Sequence, residues 1–345
     1  MRTGPVLAWL AGGGFLAAGL SYAAQAPEPL PSSLHDTGLY AEASGLSVRP
    51  ENRHFTPQYP LWSDGATKHR WISLPAGQAI DGSRAAVWDF PRGTKLWKEF
   101  RHGRALETRF IERTANGEWR FASYVWTADG ADAVLAPAAG IREMPAREAP
   151  GERYAIPAQD DCRACHEGAP VPVLGFSALQ LSPDRDPLAP HAESNGAEAN
   201  LRSLVDRGVL RNLSPKLLTS PPRIKAATPE ARAALGYLHG NCGHCHNDEG
   251  PLAVLDMTLA QRVGSPGAAT DAVLHSVVDV QSQFRSARGQ TRVAPGHPAS
   301  SVIALRMRSR EPTQQMPPLG STVVDTEAMA LIARWIESLP TNKSN

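Results

Sequence analysis

Two short stretches carry the residues best equipped for chemistry: Cys162-Arg163-Ala164-Cys165-His166 and Cys242-Gly243-His244-Cys245-His246, each a Cys-x-x-Cys-His. Two cysteines three positions apart place both sulfurs on one side of a single turn, within reach of the two vinyl groups of one porphyrin. The histidine that follows lies beneath the iron and offers it an imidazole nitrogen. The spacing therefore predicts two covalently bound c-type haems, one through Cys162 and Cys165 and one through Cys242 and Cys245, with His166 and His246 as iron ligands. Two other chemistries use the same pattern. One is a redox dithiol; the other is a zinc site built from all four cysteines, or from two cysteines and two histidines. The chain has 4 cysteines and the two motifs use them all, so none remains for a disulfide framework.

The bulk composition says less. A chain of 345 residues suggests about two domains. Lys+Arg 35 against Asp+Glu 34 gives a net charge of +1, so no global field selects nucleic acid or an anionic membrane. The 30 prolines point to long irregular connections. No Ser/His/Asp set, phosphate loop or paired-carboxylate signature stands out. The N-terminus opens with Met1-Arg2, an apolar run over 6–20, and small residues at Ser21, Ala23, Ala24 and Ala26 that offer A-x-A-like cleavage sites. The run is about 15 residues, short of the roughly 20 a membrane span needs. A periplasmic protein is expected, exported by a signal peptide cut near Ala23 or Ala24 and not inserted in the membrane afterwards. Export agrees with the haem reading, because c-type haem is attached outside the bacterial cytoplasm.

The elements that must position these residues follow from pattern. Residues 26–60 are rich in Pro, Ser and Gly and should wrap a surface as irregular structure. Short strands are expected at 66–74, 85–90, 94–100, 107–113 and 119–126, the last two joined by the hairpin signal Asn116-Gly117. Six of the 8 tryptophans lie between Trp62 and Trp126 and should fill the core of this β segment. Residues 200–208 read as a short helix. Thr228-Pro229 opens a longer one that delivers Cys242. Residues 298–308 also look helical. A closing helix capped by Asp325 or Thr326 carries Leu331, Ile332, Trp335, Ile336 and Leu339 at helical spacing.

With its leading helix, Cys242 to His246 motif, Met316-Pro317-Pro318 loop and amphipathic closing helix, the stretch 227–340 resembles a class I cytochrome c domain. That resemblance implies Met316 as the iron ligand opposite His246, and a crossing of first and last helices at Gly236-Tyr237 and Trp335. A neutral thioether favours Fe(II) and raises the potential, as suits an electron carrier. The whole chain is similar to bacterial di-haem c-type cytochromes with an N-terminal β domain. More distantly, Phe90-Pro91-Arg92-Gly93-Thr94 through Lys98-Glu99, followed by strands and a Cys-x-x-Cys-His, resembles cytochrome P460 and cytochrome c′-β over 60–174. In those families a β-sheet pocket holds the haem, and Lys98 matches the position of a lysine that can be cross-linked to it.

The expected fold class is thus α+β and multidomain: an N-terminal antiparallel β domain with the first haem motif, then an all-α class I cytochrome c domain. The expected divisions are 1–24 (signal peptide), 25–60 (irregular), 61–221 (β-rich, first haem segment) and 222–341 (cytochrome c domain). The Pro251 carbonyl is expected to accept from the second ring nitrogen of His246. The first haem has Met144, His191 or no protein group as its sixth ligand. The expected function is single-electron transfer with a redox partner protein the sequence does not name. The rivals are a haem enzyme acting on peroxide, hydroxylamine or nitric oxide, and a gas or redox sensor, each with an open first haem.

Overall fold

The computed structural model describes residues 1, 29–41, 45–193 and 199–341. The expected signal peptide, apart from Met1, lies outside them. The chain forms two compact units, Met1–Leu30 and Pro31–Asn345, and all the described strands and helices belong to the second.

The first half of that unit is built on one antiparallel sheet. The strands are β1 (Arg53–His54), β2 (Thr67–Ser73), β3 (Ile80–Asp81), β4 (Lys95–His102), β5 (Arg104–Arg113), β6 (Trp119–Trp126) and β7 (Ala133–Leu135). All but β3 join a six-stranded sheet in the order β1-β2-β4-β5-β6-β7. Gly117, at a φ of 94°, turns the chain between β5 and β6, as the Asn-Gly pair predicts. The expected strand at 85–90 is reduced to a single bridge between Asp81 and Asp89. There the Phe90 carbonyl accepts from the Arg113 guanidinium instead of from a neighbouring strand.

Register fixes what each face carries. Trp71, Trp97, Phe110 and Ala122 stand opposite one another across β2, β4, β5 and β6. The segment around the short 3-10 turn His35–Thr37 packs against this strand set: Trp97 Nε1 donates to Thr37 Oγ1 at 2.8 Å, and Lys95 Nζ to the Thr37 carbonyl at 2.9 Å. The opposite face bears Arg70, Lys98 and Arg109, also in register. Of the six tryptophans between 62 and 126, Trp88, Trp97 and Trp126 are buried, whereas Trp62, Trp71 and Trp119 are half-buried. Trp97 fills the core under the His35–Thr37 turn, whereas Trp62 lines a cavity.

Strands β8 (Ile141–Pro145) and β9 (Arg153–Ile156) form a hairpin that leads into helix α1 (Gln159–His166), which holds the whole first motif. Helices α2 (Leu201–Asp206) and α3 (Lys216–Thr219) follow, with β10 (Leu210–Arg211) between them, paired in parallel with β3. Asn200 caps α2 by accepting from Ser203 N at 3.0 Å. Helix α4 (Pro229–Asn241) starts as its sequence predicts, with Thr228 Oγ1 accepting from Ala231 N at 3.1 Å. It buries Ala234, Leu235 and Leu238 in one apolar core with Ile332, Trp335 and Ile336 of α7 (Thr326–Ser338).

The C-terminal part is not all-α, and this corrects the expected fold class. Between α4 and α7 lie α5 (Pro266–Val277), a two-stranded hairpin of β11 (Gln281–Ser286) and β12 (Gly289–Thr291), and α6 (Val302–Arg308). The hairpin is tied in by bridges from Val278 to Val293 and from Thr291 to Ser301. It escapes a sequence reading because its strands carry one large apolar residue, Phe284, so no alternating pattern forms. The described residues thus form a mixed α/β protein with seven helices and a large antiparallel sheet, and no cytochrome fold is shown.

Helices α4 and α7 pack in one core that holds Tyr237 and Trp335, and Tyr59 joins them there. A Cβ on Gly236 would stand 2.0 Å from the Tyr59 ring, and one on Gly240 2.4 Å from the Tyr59 carbonyl. Tyr59, from the first half of the chain, uses these glycines for close approach and packs in the same core as Trp335.

Candidate functional site

Helix α1 presents Cys162, Cys165 and His166 within two turns. In the second motif Cys242 caps the C-terminus of α4, and one further turn is closed by His246 N donating to the Cys242 carbonyl at 2.8 Å. Cys162, Cys165, His166, Cys242, Cys245, His246 and Met316 all line a single cavity of about 650 Å³. That volume lies in the range of sites that bury an organic cofactor. All four cysteines are free.

Two buried asparagines join the halves of this site. Asn247 Nδ2 donates to the Gly168 carbonyl at 2.9 Å, and also to the carbonyls of Gly243 and His244. Its Oδ1 accepts from the amides of Glu249 and Gly250. The segment after the first motif is thereby fixed to the second. Asn241 Oδ1 accepts from Trp62 N at 2.7 Å while its Nδ2 donates to the Pro60 and Tyr237 carbonyls. Sequence reading passed over both residues. Their partners lie up to 181 positions away, and a lone asparagine beside a motif gives no periodic signal.

The cysteines of the two motifs meet. The interaction between Cys165 and Cys245 holds the Cys165 thiol down and that of Cys245 up. Burial pushes the Cys162 thiol up to about 11 and that of Cys242 up to about 12. No group of three or more His, Cys, Asp or Glu side chains able to hold a metal ion occurs among the described residues. The four cysteines are therefore not gathered as a tetrahedral zinc site requires.

His166 Nδ1 lies 2.6 Å from the Pro172 carbonyl. A carbonyl only accepts, so Nδ1 carries the proton and Nε2 keeps a free lone pair. Burial drops the His166 pKa to about 4, and the Pro172 bond opposes that shift. The His246 pKa also falls to about 4, through burial first and then the charges of Arg306, His244 and Arg292. Both rings are neutral at physiological pH, the state in which imidazole ligates iron. The expected bond from His246 to Pro251 is not formed: His246 Nδ1 is buried with no hydrogen-bond partner among the described residues. The prolyl acceptor belongs to the other motif.

Neither sixth-ligand candidate for the first iron faces the cavity. Met144 packs with Leu106, Ala146 and Ala149. His191 Nε2 is bonded to the Asp325 carboxylate at 2.9 Å, and its ring lies 4.7 Å from that of Trp62. Lys98 does line the cavity, and burial, then Arg70, Lys68 and Arg109, lowers its pKa well below that of an ordinary lysine. Met316 is held on the wall by its amide, which donates to the Arg306 carbonyl at 3.0 Å, and Arg310 Nη2 reaches its carbonyl at 3.4 Å.

These residues suit a haem of the c type: free thiols in pairs, a neutral imidazole beside each pair, and a cavity they share. No family model, curated protein or solved structure matches the chain.

Proposed function

We propose that the protein is a periplasmic di-haem c-type cytochrome that passes single electrons to and from a redox partner protein. The observation that carries this reading is the convergence of both Cys-x-x-Cys-His motifs and Met316 on one cavity. Bound haem would supply a reversible Fe(III)/Fe(II) couple. Cys162 and Cys165 would hold one porphyrin, Cys242 and Cys245 the other, with His166 and His246 as proximal ligands and Met316 as the second ligand at His246.

The chain's own residues do the rest. The Pro172 carbonyl fixes the His166 tautomer and ring plane. Asn247 holds the two motifs at a set spacing, so that an electron has a short path between them. The apolar walls, buried Leu96, Leu259 and Met307 with half-buried Ile111, exclude water and so limit reorganisation around each site. The N-terminal pattern supports an exported chain, and among the described residues no helix is long and apolar enough to cross a membrane.

A second reading has one observation in its favour. With Met144 and His191 engaged elsewhere, the first site lacks both candidate sixth ligands. An open iron there would bind a small molecule, as an enzyme or a sensor does. A redox titration that follows visible absorbance in the full chain separates these readings from no haem at all. Two one-electron steps are expected, with carbon monoxide perturbing one of them. A protein without haem absorbance contradicts both readings.

A further inference from the structure

On the cavity face of the sheet, Arg70 of β2 stands directly opposite Lys98 of β4, which stands directly opposite Arg109 of β5. Like charges placed directly across strands repel, and each such pair weakens a sheet. Two of the three cations have carboxylates. Arg109 is bonded to Glu107 at 2.8 Å and 3.1 Å. That carboxylate also accepts from Ser123 and Tyr154, so its capacity is taken up. Arg70 Nη1 is bonded to Glu193 at 2.8 Å, but Arg70 Nη2 is buried with no partner among the described residues, on a residue only 4% exposed. Lys98 Nζ has neither an ion pair nor a hydrogen bond among the described residues; it sits 4.8 Å from the centre of the Phe100 ring. All three side chains line the cavity. Across its whole wall the cavity carries Lys98 and five arginines against two carboxylates, Asp161 and Asp325.

A row of cations with an unpartnered guanidinium nitrogen and an unpaired amine lacks negative charge. We propose that Arg70, Lys98 and Arg109 form a binding site for an oxyanion, seated on the sheet beside the first motif. The ligand class is a planar or tetrahedral group with at least two negatively polarised oxygens. One oxygen would accept from Arg70 Nη2 and another from Lys98 Nζ, with Arg109 adding charge from across β5. Two sources supply such a group: a small free oxyanion, or a carboxylate of the cofactor itself. Only the second source rests on the haem reading.

The test uses the full chain, with covalent haem assayed in every sample, and compares wild type, Lys98→Met and, as a control far from the cavity, Lys216→Met. Sodium nitrite and sodium sulfate are titrated at constant ionic strength while the thermal midpoint is followed. A free oxyanion raises the midpoint saturably in wild type and in Lys216→Met, and Lys98→Met weakens its binding about tenfold, the usual effect of losing one charge-assisted bond. If the occupant is the cofactor's carboxylate, the free anions have no saturable effect. Lys98→Met then lowers one of the two reduction potentials and leaves the other in place, because a cation beside an oxidised centre has been removed. Two haems present, with neither an anion response nor a potential shift, overturns the site. In a protein that carries no haem the anion titration decides alone, and the absence of a saturable shift overturns the site there too.

Discussion

Among single residues, Met316 is the one proposed to ligate the second iron opposite His246. It shares the cavity with His246, and its amide is tied to the Arg306 carbonyl. A thioether on iron stabilises the ferrous state. Met316→Ala is therefore expected to remove the weak long-wavelength charge-transfer band of the ferric protein and to lower one reduction potential only. An unchanged band would show that Met316 is not a ligand. Carbon monoxide should bind one ferrous haem in the wild type and two in the variant; no binding in the wild type would mean two six-coordinate irons and would remove the small-molecule reading. The residues of this site were legible in the sequence because their chemistry dictates their spacing. The acceptor for His246 was not, since it depends on where a later loop falls. That carbonyl bond appears instead at His166, from Pro172.

At the scale of elements, two features outside the motifs set stability. Asp325 caps α7 by accepting from Ala328 N at 3.0 Å, and it also holds His191. Thr228 caps α4 by a single bond at 3.1 Å. Thr228→Ala should cost about 1 kcal/mol. Asp325→Ala should cost about 3 kcal/mol, because it leaves His191 without its buried partner. Urea midpoints at constant slope measure both, and equal small losses would contradict the linkage. On β2, burial first and then Arg70 lower the Lys68 pKa from 10.5 to about 8. The folded state thus disfavours the ammonium. The resulting destabilisation is complete below about pH 8 and disappears as pH rises through 10.5, on the order of 3 kcal/mol in all. The stability gained by Lys68→Met should shrink over that window, and a gain that does not change with pH would show that Lys68 is solvated. The starts of α4 and α7 could be read from Thr228 and from the Asp325-Thr326 pair, since each signal is local. The β11–β12 hairpin could not, because one aromatic residue makes no period.

For the molecule as a whole, pattern located β2, β4, β5 and β6 and helices α2, α4, α6 and α7, but not how they assemble. Tyr59 of the first half inserts against Gly236 and Gly240 of the second, and Asn247 binds Gly168 across 79 positions. Such contacts depend on shape and long-range register, which composition and periodicity do not encode. They make Pro31–Asn345 one compact unit with both motifs on one cavity. The central claim is that this cavity holds two covalently bound haems. It is tested most directly by the mass of the full chain after denaturation and acid-acetone extraction, for the wild type and for a variant with Cys162→Ala and Cys165→Ala. The account predicts a red wild-type polypeptide heavier than its sequence by two haems, and a variant heavier by one. A colourless polypeptide at the mass of the bare chain would contradict it.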